Sequence, residues 1–341
     1  MKRRAIIAFA IVAFVVTGVF FWRGSTEPNA PDPLFDGKPA SVWVELLVRR
    51  ENSGARHAVQ QLGEGAVPYL LPRLSRKDSV FNDLNLKLWP RLAHRLPASL
   101  RARWQRPILN KEARMSALEA LRDMEPTPGA ALLPLMQRLR DTDATIRLHS
   151  VIALGHIGPA ARPAVPLLKP FLKSNHVHRV YTAQALWKIN HDADEVLPVL
   201  EQGVQEQAPF RWSAAVFLGE MGPAAQHAIP LLEKTTTATD KEAASCALQA
   251  LAQISPATSV PLLIRTLQDP EPAMRISAAV ALGKIAPHAR DAVPALIALL
   301  DDQATGRPVI MGYSGGPEPV SKAAAQALLL IDPAAAKAAA R

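Results

Sequence analysis

From Arg147 onward the apolar positions trace the face of a helix, and that face returns every 31–33 residues. In the first such stretch the small residues Ser150 and Ala153 and the large residues Leu154 and Ile157 stand at i, i+3, i+4 and i+7, the stripe that an amphipathic helix buries. Ala278, Ala281, Leu282 and Ile285 repeat the same pattern. The anchoring leucines are Leu62, Leu121, Leu154, Leu186, Leu218, Leu251, Leu282 and Leu328. A proline column at Pro134, Pro166, Pro198, Pro230, Pro261 and Pro294 keeps the same period. A further set, Pro126, Pro159, Pro223, Pro256, Pro287 and Pro333, follows the leucine by five residues and stops the first helix, with His191 in that place once. The proline column is expected to open the second helix near its first turn, where a missing N–H costs little. Each unit is thus an antiparallel helix pair that cannot bury both faces alone, so copies stack. The expected class is all-α, an α-solenoid: a superhelix of stacked antiparallel helix pairs.

The 31–33 residue period, the Leu154-Gly-His-Ile-Gly-Pro159 turn and the Ala164-Val-Pro-Leu-Leu168 second helix resemble HEAT repeats of the short bacterial type. The resemblance covers about residues 54–75 and 112–341. It implies a protein-binding scaffold. A minority of such repeats, the bilin lyase relatives, attach or detach a chromophore, which makes a lyase-like enzyme the alternative. Gly37-Lys38-Pro-Ala-Ser41-Val-Trp43 also resembles the opening of membrane-anchored bacterial HEAT-repeat proteins.

The first 40 residues lie outside the repeat. Lys2-Arg3-Arg4 precede an uncharged run from Ala5 to Trp22, long enough to cross a bilayer as a helix. The run ends in Phe20-Phe21-Trp22 rather than in small residues, so an uncleaved signal anchor is expected over residues 1–23. Three basic residues before the span against Arg23 after it place the N-terminus in the cytoplasm and the body in the periplasm or otherwise outside the cytoplasm. Residues 24–40 read as a Pro-rich linker, 41–111 as a first repeat plus a basic, degenerate repeat region, and 112–341 as regular repeats with a loop inserted at about 304–319.

That insertion shows in the register: Pro294 to Leu328 takes 34 residues where the other units take 20 or 21. It contains Arg307 and Tyr313, candidate partner-binding residues in either a recognition loop or a short hairpin. Gly312-Tyr-Ser-Gly-Gly316 inside it spells the G-x-S-x-G of a serine-hydrolase elbow. An elbow needs a helix directly after it and a later histidine. Pro317 and Pro319 occupy the helix start and no histidine follows Ser314, so no catalytic residue is assigned.

Arginine recurs seven residues before the leucine, at Arg114, Arg147, Arg179, Arg211 and Arg275, and Asp141 and Asp269 precede two of these by six residues. Two roles follow: an Asp/Arg ladder fixing the turns between units, or a positive stripe for an acidic partner, with Arg147, Arg179, Arg211 and Arg275 as candidates. His176 and His178 stand alone as a pair and no other unit repeats them, so no metal site is assigned. Cys246, the single cysteine, falls in an apolar run and reads as a small core residue.

Charge separates one more segment. Residues 49–114 hold 14 Lys and Arg against 5 Asp and Glu, a net of +9 equal to that of the whole chain. Arg91, Arg95, Arg101, Arg103 and Arg106, with Trp89 and Trp104 among them, are candidates for a membrane or anion surface. A location outside the cytoplasm argues against nucleic acid. The expectation is therefore a non-enzymatic scaffold without cofactor, held in the membrane by residues 5–22, whose partner is another protein or peptide. A structural envelope or membrane-surface protein is the further alternative.

Overall fold

The computed structural model describes residues 31–75, 80–95, 97, 109–124, 127–206, 211–307 and 316–339. The expected anchor, residues 5–22, lies outside them. The chain divides into two compact units, Met1–Leu168 and Lys169–Arg341.

The first unit opens with a hairpin, β1 (Leu34–Phe35) antiparallel to β2 (Lys38–Pro39). Asp36 and Gly37 form its turn at φ of +49° and +70°, the left-handed pair that a tight hairpin demands. Helix α1 (Ala40–Arg49) follows at once, and its Trp43 indole N–H donates to the Phe35 carbonyl at 2.8 Å. Phe35 meets Trp43 edge-on, and Lys38 sits 4.7 Å over the Trp43 ring. Leu34–Pro39, read as linker from the sequence, is therefore folded onto the first unit. The proline content of residues 24–40 points to a linker, whereas Asp36-Gly37 is the local signal for the turn.

Helices α2 (Ala55–Leu62) and α3 (Val67–Leu74) make the first repeat, and α4 (Val80–Leu92) enters the basic region. The regular repeats start with α5 (Asn110–Arg122) and α6 (Leu132–Arg138), then α7 (Ala144–Ile157) and α8 (Val165–Leu168). The second unit continues with α9 (His176–Asn190), α10 (Ala193–Gln205), α11 (Arg211–Glu220), α12 (Ile229–Thr236), α13 (Lys241–Ile254), α14 (Pro256–Thr266), α15 (Pro272–Lys284) and α16 (Val293–Ile297). Strands β3 (Thr305–Gly306) and β4 (Glu318–Pro319) then pair before α17 (Val320–Ile331) and α18 (Pro333–Ala339).

Leucine-bearing helices pack on one another in sequence, α5 on α7 in the first unit and α11, α13, α15 and α17 in the second. Leu121, Leu154, Leu186, Leu218, Leu251, Leu282 and Leu328 are all buried, together with the small residues beside them. In some units glycine follows the leucine and permits this approach, as at Gly219 and Gly283. A Cβ on Gly219 would lie 2.9 Å from the Ala250 Cα of α13, and one on Gly283 would lie 3.3 Å from the Ala327 Cα of α17.

The segment between the two helices of a unit is often a 3-10 turn rather than plain loop, as at Gly158–Ala164 and Gly222–Ala228. Gly158 and Gly222 enter these turns at φ of +69° and +58°. Pro166, Pro230 and Pro294 then stand at the second residue of their helices, as the periodicity implies. Pro198 and Pro261 instead lie inside α10 and α14. There the turn is shorter, and the second helix begins directly after Asp192 or Ser255.

Among the described residues one helical run, Ala144–Lys173, has the length and mean hydropathy of a membrane span. Its first part, α7, buries Ile146, Val151, Leu154 and Ile157 in the first unit, and the run is broken at Gly158. The apolar content is that of a core helix. Asp143 caps α7, accepting from the Thr145 and Ile146 N–H groups at 2.9 and 3.3 Å. Lys111, 2.6 Å away, and these N–H groups hold its carboxyl below the usual range against a weaker effect of burial. Asp143→Ala is expected to lower stability by about 1 kcal/mol at neutral pH. Because the folded pKa lies below the unfolded one, that difference is present above about pH 4. It shrinks as pH falls through the folded value. Urea titrations of both proteins at neutral and acidic pH measure it; an undiminished difference in acid contradicts the capping account.

Candidate functional site

The insertion is rooted on α15 and α17. Asp302 ends the preceding turn and accepts from Arg275, whose Nε lies 2.9 Å from Oδ2, while Oδ1 takes the Ala304 N–H at 3.0 Å. The Ser321 N–H donates to the Asp302 carbonyl and the Val320 N–H to the Ala304 carbonyl, so the start of α17 closes back over the point where the insertion leaves. Thr305 pairs with Pro319 and Gly306 with Glu318. Gly306 lies so near α15 that a Cβ there would stand 2.7 Å from the Ala273 nitrogen. Glu318 is buried and pairs with Lys322 at 3.0 Å. Hence the foot is a short antiparallel ladder fixed to the repeats. Arg307 follows it and is exposed. Tyr313 and Ser314 lie outside the described residues.

A related entry is built at the other hairpin, with the serine N–H bound to the aspartate side chain rather than to its carbonyl. The Ala40 N–H donates to the Pro33 carbonyl, and the Ser41 N–H to Asp32 at 3.0 Å. In both places an aspartate precedes a hairpin whose second strand ends in proline, and a serine sits second in the helix that follows.

The arginine column is engaged within the chain wherever its partners are described. Arg114 and Asp141, both buried, are 3.3 Å apart. Arg147 donates to the Asp141 and Thr142 carbonyls at 2.8 and 3.0 Å. Arg179 pairs with Glu206, and Arg211 lies 3.9 Å from Asp240. Arg275 adds the Asp269 and Pro270 carbonyls, at 2.7 and 3.0 Å, to its bond with Asp302. An arginine thus reaches a carboxylate 27 residues on for Arg114, Arg179 and Arg275, and 29 on for Arg211. The nearer aspartates enter differently from the sequence expectation: Asp141 and Asp269 offer Arg147 and Arg275 their carbonyls, not their carboxylates. Glu206, Asp240 and Asp302 were not singled out from the sequence, although the 27-residue offset shared by Arg114, Arg179 and Arg275 was there to find.

His178 is buried, its Nδ1 lies 2.9 Å from the Asn175 side chain, and its ring stacks on Phe171. Nothing is described of the His176 side chain. Among the described residues no three His, Cys, Asp or Glu side chains gather as metal ligands do. His149, beside Arg122, has its pKa lowered by burial first and by that guanidinium second. The Cys246 thiol is pushed up to about 12 by burial, then by Glu242 and Asp240. A thiol so protonated is a core group, not a nucleophile.

Stacked helix pairs, glycine at the close approach and an arginine ladder between units describe the second unit as a repeat array. Residues 228–308 match the family of HEAT repeats. That segment is built of HEAT repeats. No curated protein matches it. The HEAT match runs from the end of the Gly222–Ala228 turn through α12 to α16 and into the foot of the insertion. The insertion therefore leaves the array where that match ends.

For the anion-surface candidates, Arg91 is exposed on α4. Arg95 closes a short 3-10 turn, Ala93–Arg95, without a described side chain. Arg101, Arg103 and Arg106 lie outside the described residues.

Proposed function

We propose that this chain is a non-enzymatic HEAT-repeat scaffold, tethered by a signal anchor at residues 5–22, that holds another protein or peptide outside the cytoplasm. The fixed foot of the insertion carries the reading. Repeats supply a firm, preformed frame, and a frame of this kind lowers the ordering cost of binding. The arginines at 147, 179, 211 and 275 act in this reading chiefly by holding the frame, since Arg147, Arg179 and Arg275 already hydrogen-bond within the chain and Arg211 stands at ion-pair distance from Asp240. Arg307, exposed just beyond the ladder, is the contact residue favoured by position.

A photoreactive amino acid in place of Arg307 tests this in cells. One discrete protein adduct is expected, and it should vanish when residues 308–315 are exchanged for a Gly/Ser segment of equal length while helical content stays unchanged. A smear of unrelated adducts, or an adduct indifferent to the exchange, rules the site out. A reporter fused after residue 341 reads topology separately: activity of a reporter that works only outside the cytoplasm is expected, and its silence refutes the assigned side.

A further inference from the structure

Helix α4 differs from the other described helices of eight or more residues. Each of those places side chains in the core, whereas none of the described side chains of α4 is buried. Its sequence is nonetheless apolar: Leu84 is 43% exposed, and Leu86, Leu88, Trp89 and Leu92 are half-buried. Leu84, Leu88 and Leu92 stand at i, i+4 and i+8, one stripe of the helix. Lys87 and Arg91, at i+3 and i+7, run along the edge of that stripe, and both are exposed. Asp83 is the one acidic residue in the helix.

We propose that α4 is an interfacial helix that lies on anionic phospholipid, its leucine stripe in the headgroup boundary and Lys87 and Arg91 on the lipid phosphates. A leucine stripe edged by Lys and Arg with a tryptophan beside it is the composition that settles at a membrane surface. Charge complementarity selects anionic lipid over neutral lipid, because α4 lies in the segment that carries a net of +9. The apolar run at residues 5–22 supplies the nearby bilayer under the anchoring part of the proposed function, on which this inference rests. It does not rest on partner capture by the insertion.

The buried, protonated Cys246 leaves a newly placed thiol as the reactive one. Full-length Leu84→Cys, labelled with a polarity-sensitive fluorophore, is incorporated into vesicles of phosphatidylcholine alone or mixed with phosphatidylglycerol. The emission should move to the blue and brighten only with phosphatidylglycerol, while the same label at exposed Gln226 (Gln226→Cys) stays unchanged. Adding Lys87→Glu and Arg91→Glu should weaken the response by at least about 30-fold, the loss expected from removing two basic residues alone. A response equal in both vesicles, indifferent to the charge reversal, or absent overturns the proposal. So does a protein adduct at position 84 in cells without a lipid response, which gives the stripe to a protein. Failure of the topology reporter with an intact phosphatidylglycerol response would instead displace the anchor reading alone.

Discussion

Asp141→Ala is expected to lower the stability of the first unit by about 3–5 kcal/mol. The carboxylate is 5% exposed and serves three groups. Its Oδ2 lies 3.3 Å from Arg114 and 3.2 Å from Arg138, and its Oδ1 accepts the Asp143 N–H at 3.0 Å. Arg114 is itself 3% exposed, so alanine leaves a buried guanidinium without this counter-charge. Removing one partner of a buried pair costs far more than the pair contributes, because the remaining charge stays desolvated. Lys111→Ala provides the contrast. That lysine is 56% exposed in its pair with Asp143, and its loss should change stability by less than about 1 kcal/mol. Urea unfolding of the three proteins, followed by helical signal, measures both differences. Equal effects from the two substitutions would mean that the ladder between units is not a buried electrostatic feature.

Gly219→Val should destabilise the second unit by about 2–3 kcal/mol through overpacking. The Cβ position lies 2.9 Å from the Ala250 Cα and 2.6 Å from the Gln253 Oε1. A glutamine tip can turn aside, but a backbone carbon cannot, so α11 and α13 must separate. That loosens contacts along both helices, including those of the fully buried Phe217 and Leu218. Gly283 is the internal comparison. Its Cβ would stand 3.3 Å from the Ala327 Cα and 3.2 Å from a methyl of the exposed Leu330 side chain. The helix-propensity gain of Ala over Gly, about 1 kcal/mol, roughly offsets so mild a clash, and Gly283→Ala should be near neutral. Thermal unfolding of both variants decides the point: a Gly219→Val protein as stable as the parent would remove close approach as the reason for glycine in this column.

The array was legible because each unit poses the same packing problem. Leu154, Leu186 and Leu218 fill equivalent spaces, so one helical stripe read correctly locates the rest. What lay hidden depends on contacts between units. That Arg275 reaches Asp302 is a fact about two units in register, and no local window of sequence contains it. Locally, Asp141 stands six residues before Arg147, which looked like an ion pair until the loop placed its carbonyl there instead. The hairpin at Leu34–Pro39 was missed for a different reason: its Asp-Gly turn is a strong local signal, but the proline content of residues 24–40 suggested a linker. For the candidate site, the insertion followed from register alone, while its rigid foot required the pairing of Thr305 with Pro319. The apolar residues of α4 gave no sign in the sequence that they stay outside the core.

Because the chain enters and leaves the insertion through paired backbone at Thr305–Gly306 and Glu318–Pro319, the repeats register only the distance between those two strands. Whatever spans them can change in length or sequence at the slow logarithmic cost of loop closure. The foot is in effect a socket. Different binding segments could be exchanged in it while the helices beneath keep their packing, which makes this the natural place for specificity to diverge and for a foreign peptide to be displayed.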